Sequence, residues 1–181
     1  MPLTRNTAGQ MYALTVFAPI VPDRVDALRA YLRSLPRRPS PFARVDATHF
    51  ARWVIIPDFV NDPSQPRAEH LPSPHLLFSA TFDGPLERFL DDMCEKLAAQ
   101  AGEIWGSCVG APLPAVGEPL KAYLKHNQIQ TGLFFSAYPA ADVATVKRAL
   151  DVRAHTIALA VRSQGMEPGA LQQAFLEEFG A

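Results

Sequence analysis

Seven side chains carry the candidate ligand chemistry of this sequence: His49, Arg52 and Trp53 in one run, His75, Ser79 and Thr81 in a second, and His155 further on. Arg52 stands out because a guanidinium inside an apolar strand must be paired, reach water, or present its fork to an anion. Structural pairing, to Asp58 or Asp83, is the first expectation, and an anionic ligand group is the alternative. His49 and Arg52 are separated by an odd step along an extended chain, so they point to opposite faces unless a bulge intervenes. Only one of them can look into a shared pocket.

The remaining candidates each have an ordinary reading beside the chemical one. His126 and His155 offer a neutral imidazole of the kind that ligates haem iron, yet a lone helical histidine is more often solvated or at the edge of a core. His70 and His75 lie near one another without a carboxylate or cysteine cluster at ligand spacing, so no metal site is expected. Gly106-Ser107-Cys108-Val109-Gly110 has the G-x-C-x-G form of a nucleophile elbow, whose oxyanion hole needs a helix directly after the nucleophile; Pro112 and Pro114 oppose one. A Walker loop, G-x-G-x-x-G, H-E-x-x-H and C-x-x-C are all absent from the sequence.

Composition narrows the classes. The 181 residues are 48% hydrophobic and 19% charged, as in an ordinary globular chain of one domain or one domain with an extension. A net charge of -1 supplies no field for nucleic acid or an anionic membrane, so neither is expected as a partner. Cys94 and Cys108 have no paired spacing, which fits reduced thiols. With no apolar leader in the first ten residues and no run of membrane-spanning length, the expectation is a cytoplasmic protein.

The elements that must hold these residues alternate in type. Strands are predicted at Tyr12–Ala18, at Thr48–Pro57 as a central strand, at His75–Phe82, briefly at Ile104–Trp105, and at Gly132–Tyr138. Helices are predicted at Pro22–Leu35, from Pro85 to a stop at Gly102, at Leu120–His126, at Ala141–Gln164 and at Pro168–Phe179. The order is β-α-β-β-α-β followed by α-β-α-α. It implies an α+β fold of the ferredoxin-like kind, an antiparallel sheet with two helices on one face. The expected division is a flexible N-terminus at 1–11, a ferredoxin-like domain at 12–110 and an extension at 111–181 on the same core. Leu77-Phe78-Ser79-Ala80 is echoed by Phe134-Phe135-Ser136-Ala137, each leading into a helix, which suggests a partial duplication or one packing solution used twice.

The open face of that sheet carries Thr15, Phe17, His75, Leu77, Ser79 and Thr81, with either the His49/Trp53 set or the Arg52/Val54 set. A residual apolar face with a few polar groups is the usual form of both a small-molecule site and a dimer interface. In topology, residues 12–109 resemble dimeric α/β-barrel proteins, dye-decolorising peroxidases and chlorite dismutases. His49-Phe50-Ala51-Arg52-Trp53, Leu76–Gly84 and Ile104–Cys108 resemble a little-characterised bacterial family related to peroxidase-associated domains. The resemblance implies a homodimer, with haem as the cofactor it would allow, although the GxxDG loop of the dye-decolorising enzymes is absent. The expected function is binding of an aromatic, apolar or haem-type small molecule in an oxidative context. The alternatives are a non-catalytic interaction or scaffold module and, third, a cysteine hydrolase using Cys108.

Overall fold

The computed structural model describes residues 6–180. The chain divides into two compact units, Met1–Ala140 and Ala141–Ala181. The boundary therefore falls some thirty residues beyond 110, and residues 111–140 belong with the sheet.

Strands β1 (Thr7–Ala8), β2 (Met11–Pro19), β3 (Thr48–Ile56), β4 (His75–Asp83) and β5 (Gln128–Ile129) form one antiparallel sheet. The spatial order is β1-β2-β4-β3, and β5 also pairs with β2. Residues 6–11, expected to be a flexible lead-in, instead start the sheet, while 1–5 lie outside the described residues. Gly9 makes the β1–β2 turn possible: its φ is +62°, and a Cβ there would lie 1.9 Å from the Pro139 carbonyl oxygen. That close approach lets the Gln10 N–H donate to the same carbonyl at 3.0 Å.

Helices α1 (Val25–Ser34), α2 (Leu86–Lys96), α3 (Ala98–Trp105) and α4 (Gly117–His126) belong to the same unit. Period-two burial decides which sheet face is the core. Leu14, Val16 and Ala18 of β2 and Leu76, Phe78, Ala80 and Phe82 of β4 are fully buried and share one face. Against them pack Leu28 of α1, Phe89, Leu90 and Met93 of α2, Ile104 and Trp105 of α3, and Leu120 and Leu124 of α4. The Phe82 and Phe89 rings stack at 3.8 Å, and Trp105 meets Phe78 edge-on at 5.8 Å. Between α2 and α4, Lys121 is buried to 6% exposure and its Nζ donates to Asp91 (2.6 Å) and Glu118 (2.7 Å), a clamp that raises its pKa.

Four sequence expectations need correction. β3 is the outermost strand, not a central one; its apolar residues on both faces reflect one buried face and one exposed face, with Phe50 77% exposed. The helix expected to stop at Gly102 breaks at Leu97 and resumes, and Ile104–Trp105 is the last turn of α3 rather than a strand. All that remains of the expected pairing there is a single bridge, Ile20 to Cys108. Gly132–Tyr138 forms no strand, with Leu133, Phe135 and Tyr138 exposed.

The second unit is a hairpin of α5 (Val143–Arg162) and α6 (Pro168–Phe179). Asp142 caps α5 by accepting from the Thr145 N–H at 2.7 Å. Val146, Leu150, Ile157 and Val161 of α5 and Leu171, Phe175 and Leu176 of α6 are exposed. Among the described residues, no helix is long and apolar enough to cross a membrane.

Candidate functional site

The strand register aligns the candidate residues into rungs across β2, β4 and β3. Thr15 faces Ser79, which faces Arg52; Ala13 faces Thr81, which faces Phe50; Phe17 faces Leu77, which faces Val54. All nine sit on the face away from α1–α4, since their neighbours along each strand form the core. Adjacent strands are about 4.8 Å apart, so each rung spans about 10 Å. Phe50, Ala51, Arg52, Ser79, Ala80 and Thr81 line a shallow hollow of about 380 Å³ along the β3–β4 side of the sheet.

Arg52 is the charged group of the hollow, and neither expected acid holds it. Asp58 accepts from His70 Nδ1 (2.7 Å) and from the backbone N–H groups of Phe59 and Leu71 (2.8 Å each), which lowers its pKa to about 2. Asp83 is bonded to His49 Nε2 at 2.8 Å. Arg52 makes no hydrogen bond or ion pair among the described residues. The apolar neighbours in the strand do not require one, because the exposed face leaves the guanidinium in water.

The other predicted site residues separate by face and by unit. Between Thr48 and Phe50 the β3–β4 register slips, placing His49 at a bulge where it meets Asp83. Trp53 lies on the helix side, against Phe42 (4.8 Å) and Phe78 (5.4 Å), with its indole N–H buried and without a hydrogen-bond partner among the described residues. His75 is on the open face, stacked on Phe17 at 4.4 Å with its Nδ1 on the Ser73 carbonyl oxygen at 2.8 Å. His155 belongs to the second unit, where it and Arg162 hold Glu178 and lower that carboxyl's pKa. The register therefore brings Arg52, Ser79 and Thr81 together, leaves His75 farther along the same face, and puts Trp53 behind the sheet. Thr15, Phe50 and Ala13 complete the face; Phe50 was visible in the sequence two residues before Arg52, on the same side of the strand.

The histidine on this face is not placed to hold a haem. An axial imidazole needs a free nitrogen aimed into a deep apolar slot, whereas His75 lies flat against Phe17 and the hollow is open. His126 lies in the last turn of α4, where a histidine complements the helix dipole. Among the described residues, no group of three or more histidine, cysteine or acidic side chains could hold a metal ion.

Cys108 follows α3 in a turn, with no helix beginning at it. It is 4% exposed, its Sγ lies 3.9 Å from the Ile104 carbonyl oxygen, and burial pushes the thiol up to about 12. A thiol in that state is not a nucleophile at neutral pH. No family model matches this chain, and neither a curated protein nor a solved structure is significantly similar to it.

Proposed function

We propose that this is a ferredoxin-like α+β protein that binds a small molecule with an apolar body and an anionic end on the open face of its sheet, and that it works as a homodimer. One observation carries the reading: an unpartnered guanidinium at Arg52, in one rung with the hydroxyls of Ser79 and Thr15 and beside Phe50. Arg52 would take a carboxylate or phosphate oxygen pair through its fork, Ser79 and Thr81 would donate further hydrogen bonds, and Phe50 would cover the apolar part. The fold-level part is supported by the order β1-β2-β4-β3 with β5 also on β2, and by the crossover from β2 through α1 to β3; with β5 read as a rudimentary last strand and β1 as an addition, this resembles the ferredoxin-like arrangement.

A ligand site normally buries most of its ligand, and this hollow is open on one side. A second copy of the sheet laid over the first would close it. Calorimetric titration with 2-naphthoate tests the binding, with R52A as control: saturable binding lost in the variant supports it, and no heat at millimolar ligand removes it.

A second reading, a protein-interaction module, is favoured by the apolar side chains exposed along the hairpin, Leu150, Val161 and Phe175 among them. Light scattering separates the two, since a monomer that binds no naphthoate leaves only the module.

A further inference from the structure

β3 ends the sheet, and its outer edge is open. Among the described residues, no backbone hydrogen bond reaches residues 49–56 from outside the sheet. Alternate N–H and C=O groups along the strand therefore point outward unpaired. The usual protections of an edge are few: the strand holds no proline, lysine or acidic residue, its one arginine, Arg52, lies on the face away from α1–α4, and its bulge is confined to the Thr48 end.

Beside this edge, on the helix side, lies a groove of about 590 Å³. Leu32, Leu35, Trp53 and Ile55 give it an apolar floor, and Arg29, Arg33 and Arg37 line it as well. Arg29 is paired with Asp26 at 2.5 Å, whereas Arg33 and Arg37 make no ion pair among the described residues. Open backbone groups, an apolar floor and two uncommitted guanidiniums thus coincide along one strand.

We propose that this edge and groove bind a short acidic segment of a partner protein, added to the sheet as an extended strand beside β3. The segment's backbone would pair with the outward groups of β3; alternate apolar side chains would rest on Trp53 and Leu32, and acidic ones would meet Arg33 and Arg37. Charge selects the occupant. A second copy of the same edge would bring Arg33 and Arg37 against their like, which disfavours self-pairing. A nucleic acid would find the cations but nothing to pair with the strand, and a net charge of -1 gives the chain no overall field to attract one.

Fluorescence anisotropy of the whole chain with a labelled seven-residue peptide alternating glutamate and valine tests the proposal. Saturable binding is expected, weakened at least about tenfold by the R33E/R37E pair and by a change from 50 to 300 mM salt. On the unaltered protein, the same peptide N-methylated at alternate residues in both registers should lose its binding. Absence of saturable binding, equal binding of a lysine-for-glutamate peptide or of a short DNA duplex, or undiminished binding of both N-methylated peptides would overturn it.

Discussion

Arg52 of β3 stands opposite Ser79 of β4 on the sheet face away from α1–α4, while the two acids nearest in sequence logic are engaged by histidines, Asp58 by His70 and Asp83 by His49. The guanidinium is thereby left without a partner among the described residues, as the proposed anion site requires. Replacing Arg52 by alanine should change stability by no more than about 0.5 kcal/mol, since the side chain is exposed and unpaired. It should weaken 2-naphthoate about ten- to a hundredfold, the range expected for one charged hydrogen-bonding group. Urea titration and calorimetry on the same preparation check both halves.

The arrangement around Arg52 was legible in the sequence only up to a choice. Alternation in His75–Asp83 identified Leu76, Phe78, Ala80 and Phe82 as one face, and all four are buried. The same rule could not phase β3, because Phe50, Val54, Trp53 and Ile55 make both of its faces apolar. Nor could it show that β3 is outermost, since strand order is set by long-range pairing and not by local pattern. Ile104–Trp105 departs from the expected strand for a related reason: two large apolar residues before a glycine suit a buried strand and a buried helix end alike, and the tertiary contact of Trp105 with Phe78 decides. Gly132–Tyr138 has strand composition, but only Gln128 and Ile129, just before it, pair with β2.

The core should be most sensitive where aromatic rings from the two layers meet. Phe89 is 2% exposed and stacks on Phe82, so F89A removes a ring between α2 and the sheet and leaves a cavity the strands cannot close. A loss of about 3–5 kcal/mol is expected by urea denaturation. A loss below 1 kcal/mol would mean that α2 does not dock on β4 as described.

Gly9 is constrained twice over, by its positive φ and by the Pro139 carbonyl that a side chain would strike. G9A should therefore cost about 1–3 kcal/mol. Hydrogen exchange should localise the damage: the Gln10 amide, which donates to Pro139, loses protection, and amides of α2 do not.

Cys108 should be silent towards alkylation. With its pKa raised to about 12 by burial, the thiolate is scarce at pH 7.5 and enclosed as well. Iodoacetamide should leave Cys108 unmodified in the native protein over hours and modify it promptly in denaturant, read by peptide mass analysis. Rapid native labelling would restore the cysteine-enzyme reading that the burial argues against.

Acid should open the long loop between β3 and β4 before it unfolds the sheet. Asp58 fastens that loop by accepting from His70 and from the Phe59 and Leu71 amides, and these bonds lower its pKa from 3.8 to about 2. Because the folded value lies below the unfolded one, the contribution is complete above about pH 4 and disappears as pH falls through about 2. The Leu71 amide should therefore lose exchange protection across that interval, ahead of amides in β4, whose core face titrates nothing. In D58N the wild-type loss between pH 4 and 2 should vanish, because the asparagine cannot be protonated there, and the loop should already be looser at pH 7. If D58N kept an acid transition of the same size, some other carboxyl would be holding the loop.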